Sequence, residues 1–204
     1  MKKKTVFYLL VVLSTVCAVN ANYLLNPGFE DGDGNAIADN WYFAGGNVQR
    51  ETEIQAGHGE WQLQIGDLES LNWGWGEQTV DFGTDVGGTE FTASAEFKGR
   101  IAGAEQIYLN LEFYDAANAL ISGQDGAELK PTDPDYIEHS WVTRSMTLTA
   151  PANTQKIRYR IVGYMGGGTY GDWGVTRADN AVLVPEPASL AVLGLGALLL
   201  KRRK

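Results

Sequence analysis

The amino-acid sequence predicts an all-β protein built as an antiparallel two-sheet β-sandwich, and three features carry that prediction. Apolar and polar residues alternate with period two, no segment between residues 22 and 184 keeps a helical period for three turns, and turn-forming clusters separate the alternating runs. Composition agrees, with 25 glycines, 6 tryptophans and 9 tyrosines in 204 residues. At 44% hydrophobic and 20% charged, the chain can bury a core and is not disordered by composition. Its length fits one domain with processed ends and excludes a large multidomain enzyme.

The alternation places each strand. Trp61, Leu63 and Ile65 form one apolar row, Phe91, Ala93, Ala95 and Phe97 a second, and Ile157, Tyr159 and Ile161 a third. Ile107, Leu109, Leu111 and Phe113 make the clearest row, with Tyr108, Asn110, Glu112 and Tyr114 on the opposite face. Turn formers lie between the rows at Gly45-Gly46-Asn47, Gly87-Gly88, residues 115–118, Asp133-Pro134-Asp135 and Gly166-Gly167-Gly168.

The two ends read as addresses. Residues 1–21 carry Lys2, Lys3 and Lys4, an apolar stretch over 6–19 and a small residue at Ala21, the pattern of a signal helix cleaved by signal peptidase between Ala21 and Asn22. The one cysteine, Cys17, falls inside it, so the mature chain has no thiol for a disulfide, a thiolate metal site or a nucleophile. At the other end, Pro185-Glu186-Pro187 leads into a 13-residue apolar run over 188–200 and then Lys201, Arg202, Arg203 and Lys204. That short hydrophobic helix with a basic end reads as a stop-transfer signal, not a fold element. Residues 185–204 resemble the PEP-CTERM sorting tail of Gram-negative bacteria. The resemblance implies export, transient anchoring in the inner membrane, processing by an exosortase-type enzyme, and delivery to the cell surface or extracellular matrix.

Between the ends, residues 22–184 hold 9 of the 16 basic and 24 of the 25 acidic side chains, a net charge of −15. This argues against nucleic acid, whose phosphates need clustered Lys and Arg. Several segments run in the order seen in carbohydrate-binding modules: Asn26-Pro27-Gly28-Phe29-Glu30, Asn40-Trp41, residues 56–63, residues 88–94, Trp141, Thr149-Ala150-Pro151 and Ala178-Asp179-Asn180-Ala181-Val182-Leu183. The domain resembles the galactose-binding-like jelly roll over nearly its whole length. The resemblance implies core positions for Trp41 and Trp141 and a structural calcium held by Glu30 and Asp179.

The residues add a second argument for calcium. Asp31, Asp33, Asn35 and Asp39 alternate with small residues after Glu30, oxygen-bearing side chains spaced as a hard cation requires. The loop is not an EF-hand, because the twelfth position from Asp31 is Tyr42. Two readings stay open: a partial Ca2+ loop completed from elsewhere, or a solvated acidic turn.

The binding candidate is Trp73-Gly74-Trp75-Gly76-Glu77. If Val80 and Phe82 point inward, strand parity sends Trp73, Trp75 and Glu77 to solvent. Indoles stack on the C–H faces of sugar rings while carboxylates and amides bond their hydroxyls, so this strip suits extracellular polysaccharide. Tyr108, Asn110, Glu112, Arg158 and Arg160 would extend it if their strands share its sheet, and Trp173 would join it from a glycine-rich stretch. Loops folded over the indoles, or a solvated Glu–Arg face, are the alternatives. His58 and His139 lack a zinc pattern, and no nucleophile elbow, zinc-protease helix, P-loop or dinucleotide fingerprint occurs. The sequence therefore points to a non-catalytic exported module that binds polysaccharide, or to a structural matrix protein that uses the same domain for protein contacts.

Overall fold

The computed structural model describes residues 22–33, 37–52, 59–66, 73–100, 106–164 and 175–186. The signal segment with Ala21, the acidic-loop residue Asn35, Trp173, His58 and the tail from Pro187 through Lys201, Arg202 and Arg203, with both predicted flanking helices, lie outside the described residues.

Twelve strands run in order: β1 (Gly32–Asp33), β2 (Ile37–Ala38), β3 (Tyr42–Gly45), β4 (Val48–Thr52), β5 (Trp61–Ile65), β6 (Trp73–Asp81), β7 (Glu90–Arg100), β8 (Gln106–Tyr114), β9 (Leu120–Leu129), β10 (Val142–Thr149), β11 (Lys156–Tyr164) and β12 (Val175–Pro185). Two five-stranded sheets, ordered β3-β6-β11-β8-β9 and β10-β7-β12-β5-β4, form an antiparallel jelly-roll sandwich, and β1-β2 is a small separate hairpin. The sequence alternation explains the packing. Ile107, Leu109, Leu111, Ile157, Tyr159 and Ile161 of the first sheet meet Leu63, Ile65, Phe91, Ala93, Ala95 and Phe97 of the second, all buried. Tyr159 fills the centre, and its hydroxyl donates across the sandwich to the Ser94 carbonyl at 2.7 Å.

Trp41 belongs to this core, with its ring 4.7 Å from that of Phe29 and its indole N–H bonded to the Asn26 carbonyl at 3.0 Å. Trp141 does not. It is only partly buried, beside the Lys98 ammonium 5.5 Å from its ring centroid, because it stands just before β10, an edge strand with sheet on one side only.

Glycines bring the sheets together at one end. Gly74 and Gly163 are register partners facing inward, and a Cβ on either would lie 2.6 Å from a side-chain carbon of the second sheet, Val48 Cγ2 or Ile65 Cγ2 respectively. Glycine there lets β6 and β11 settle onto β4 and β5, while Trp73 and Trp75 occupy the opposite face.

The chain ends meet on β12. Asn22 brackets that strand: its amide donates to the Ala181 carbonyl at 2.8 Å and its carbonyl accepts from Leu183 N–H at 2.9 Å. Tyr23 N–H bonds to the Leu183 carbonyl at 2.9 Å, and the Tyr23 ring lies edge-on to Phe82 at 5.0 Å. β12 continues through Pro185, which pairs with Phe91, and Glu186 N–H donates to the Glu90 carbonyl at 2.8 Å. The first two residues of the sorting motif are therefore joined to the sandwich.

Candidate functional site

β11 lies between β6 and β8, so the strip predicted from separate segments is one sheet face. Tyr164 pairs with Trp73, Val162 with Trp75 and Tyr108, Arg160 with Glu77 and Asn110, and Arg158 with Glu112. Trp73, Trp75, Glu77, Tyr108, Asn110, Glu112, Arg158 and Arg160 all share the outward parity, and Asp125 of β9 extends the row as the partner of Asn110.

The face has a charged half. Arg160 Nε bonds to Glu77 at 2.5 Å and its Nη1 to Glu112 at 2.8 Å, while Arg158 Nη1 reaches Glu112 at 3.4 Å. The Trp75 indole N–H donates to Glu77 at 3.1 Å, and the Tyr114 hydroxyl donates to Glu112. Both carboxylates are thus occupied by fixed donors, and two arginines cancel two glutamates. Such a half-buried network fixes geometry more than it adds stability. Burial, followed by the hydrogen bond to Glu112, raises the Tyr114 hydroxyl above its ordinary pKa.

The other half is aromatic and concave. Trp73, Trp75, Tyr108, Asn110, Asp125, Arg160 and Val162 line a depression of about 310 Å³. Trp73 leans on Tyr164 at 4.5 Å between ring centroids and stands edge-on to Tyr108 at 6.2 Å, yet remains 47% exposed. Asn110 donates to Asp125 at 2.7 Å, and its own carbonyl oxygen is buried without a partner. Glu112 and Arg158 belong to the charged half and brace Arg160 without lining the depression. Asp125, Val162 and Tyr164 were not singled out in the sequence. Tyr164 has the parity of Arg158 and Arg160, a signal that was available, but Asp125 depends on a hairpin register that composition does not reveal.

The acidic residues near the N-terminus divide. Asp31, Asp33 and Asp39 are exposed on or beside the β1-β2 hairpin, where the Asn26 amide binds the carbonyls of Asp31 at 2.7 Å and Asp39 at 3.1 Å. Asp179 is fully buried at the β12 bulge that follows it; its Oδ1 accepts from Asn180 N–H at 2.7 Å and its Oδ2 has no partner. Burial, with repulsion from Glu30 and Glu96, pushes Asp179 up to about 7 against the opposing Asn180 bond. Gly28 separates the two acids, since a Cβ there would lie 3.5 Å from Asp179 Oδ1 and 3.7 Å from Glu30 Cγ. Arg50 holds the Glu30 carbonyl at 2.5 Å, with its guanidinium 3.8 Å over the Trp61 ring. The Glu30 carboxylate accepts from the backbone N–H groups of Glu60 at 3.0 Å and Trp61 at 3.2 Å, and across Gly28 from it the orphan Asp179 oxygen is a ligand atom of the kind a hard cation takes. Among the described residues, no three Asp, Glu, His or Cys side chains gather as a metal cluster.

Comparison with known proteins identifies the sorting signal and the fold. Residues 183–204 match the PEP-CTERM protein-sorting motif, which indicates export and membrane-anchored sorting through an exosortase in Gram-negative bacteria. No curated protein matches the chain. Among solved structures, TmCBM61 in complex with β-1,4-galactotriose is 18% identical, with a TM-score of 0.56, over 82% of this chain and 100% of that one. The xylan-binding domain from CBM 22 is 16% identical, with a TM-score of 0.51, over 81% of this chain and 96% of that one. The enzymatically active domain of bacteriophage CBA120 tailspike protein 4 is 10% identical, with a TM-score of 0.56, over 80% of this chain but 21% of that one. These likenesses define a jelly roll of the carbohydrate-binding-module type, a fold that also occurs within an enzyme.

Proposed function

We propose that this exported protein binds extracellular polysaccharide without catalysis, through the face formed by β6, β11 and β8. The aromatic depression carries the reading: two indoles and a phenol ring supply stacking surfaces, while Asn110, Asp125 and Arg160 supply hydrogen-bonding groups at its wall. Carbohydrate-binding modules of the same fold and the export signal support it. The 47% exposure of Trp73 favours a ligand platform over the alternative of a structural matrix protein with merely packed tryptophans. A structural calcium at Glu30 and Asp179 is part of the proposal, supported by the orphan oxygen and raised pKa of Asp179.

The test is affinity electrophoresis of the full-length protein through gels containing galactan, xylan and the producing organism's own exopolymer. Retardation by at least one polymer, lost in Trp73→Ala and Trp75→Ala with an unchanged β-sheet circular dichroism spectrum, is the expected result. No retardation by any polymer defeats the proposal, and loss of the folded spectrum in both variants supports packed tryptophans.

A further inference from the structure

The charge balance of the depression points to a narrower ligand class. Glu77 and Glu112 are matched by Arg158 and Arg160, which leaves Asp125 as the one unmatched charge among the lining residues. Among the described residues its one hydrogen bond comes from the Asn110 amide, which leaves its second carboxylate oxygen for a ligand. The wall therefore holds an unneutralised carboxylate beside the rings of Trp73, Trp75 and Tyr108.

Aromatic faces and a carboxylate together attract cations, since the ring quadrupole and the fixed charge act in the same direction. Trp75 already carries the Arg160 guanidinium 5.9 Å from its ring centroid, a cation that Glu77 and Glu112 neutralise, so the exposed ring of Trp73 is the one left to a ligand. The field at Tyr108 has the same sign. After burial, Asp125 and Glu128 raise the Tyr108 hydroxyl pKa, and the opposing influence of Arg160 ranks below both. Acidic sugars meet repulsion from Asp125 here, whereas a sugar ammonium finds an aromatic wall and a carboxylate.

We infer that the depression selects glycans whose hexosamine units carry free, protonated amines, with Asp125 as the selectivity residue. This rests on the polysaccharide reading of the same face, and it makes deacetylated hexosamine polymer the matrix component that the protein holds.

Isothermal titration of the full-length protein at a pH that keeps the sugar amine charged tests the inference, with three oligosaccharide probes: a glucosamine hexamer, its fully N-acetylated counterpart and galactotriose. The expected result is about tenfold tighter binding of the glucosamine hexamer than of the acetylated one. Asp125→Asn should bring the two hexamers to equal affinity. Trp73→Ala should abolish hexamer binding although it leaves the protein's charge unchanged. That variant separates the site from general attraction between a polycation and a domain of net charge −15. Glucosamine-hexamer binding that survives Trp73→Ala, or equal affinity for both hexamers in the unsubstituted protein, overturns the inference while any retained galactotriose binding leaves the polysaccharide reading standing. Absence of binding to all three probes overturns the inference, and retardation by none of the gel polymers in addition overturns the polysaccharide reading.

Discussion

Replacing Asp179 with asparagine should stabilise the calcium-free protein at alkaline pH. In an unfolded chain an aspartate titrates near 3.9, and in the folded domain burial holds Asp179 at about 7. Between those values the folded chain keeps a proton that the unfolded chain has released, so stability falls as pH rises through that window. Three pKa units correspond to roughly 4 kcal/mol lost by pH 8. Asparagine keeps the acceptor for Asn180 N–H and removes the buried charge, but it places an amide donor where Oδ2 has no partner, at a cost of about 1 kcal/mol. The net gain is about 2–3 kcal/mol, or a Tm higher by roughly 5–10 °C for a domain of this size. Thermal unfolding of the full-length protein in chelator, read by circular dichroism from pH 5 to pH 8, should show a falling Tm for the unsubstituted chain and a flat one for Asp179→Asn. Calcium at a thousandfold excess over Kd should then reverse the ranking at pH 8, because an ion bound only to the folded state stabilises it by about 4.1 kcal/mol at that excess, more than the variant's advantage, and only the unsubstituted chain retains both carboxylates. A chelated unsubstituted protein whose Tm is flat over this range, and equal to that of the variant, would refute the reasoning.

Two further outcomes test the packing. Asn22→Ala strands Leu183 N–H and the Ala181 carbonyl, both partly buried, and should cost about 2 kcal/mol, read as a Tm lower by roughly 4–8 °C in protein whose mature N-terminus is verified by mass spectrometry. Gly163→Ala puts a methyl 2.6 Å from Ile65 Cγ2 and should cost about 1–3 kcal/mol in urea unfolding; an unchanged midpoint would mean the sheets are not in close contact there.

The parts of the fold that the sequence revealed are those where one face of a strand is buried and the other wet. β8 and β11 alternate cleanly because each has neighbours on both sides and a core beneath, and their outward residues could be assigned to a face from parity alone. β9 lacks that signal. As an edge strand running through Gly123, Gln124, Asp125 and Gly126, it is exposed over most of its length, so no period marks it and Asp125 stayed hidden. Pairing of β6 with β11 joins residues 75 to 91 positions apart, a long-range register on which local patterning is silent. The resemblance to carbohydrate-binding jelly rolls puts Trp141 in the core, whereas the sandwich ends beside it and leaves it partly exposed. The resemblance paired Glu30 with Asp179, but spacing in the acidic loop did not distinguish them from Asp31, Asp33 and Asp39, whose side chains face solvent.

The joining of β12 to the sorting motif also sets how the domain bears load. Tension along the tail enters the sandwich at Glu186, held by its backbone bond to Glu90 and by the Thr92 hydroxyl on its carboxylate, and then reaches the pairing of Pro185 with Phe91, where proline has no N–H to contribute. Two residues further in, the Asn22 bracket grips Leu183 from the other side of the strand. The proline rung is thus the weak one, set between the Glu186 contacts and the Asn22 bracket. A pull along the tail would load the Pro-Glu pair before the bracket, which would place the first contacts to yield at the strand end and away from the hydrophobic core.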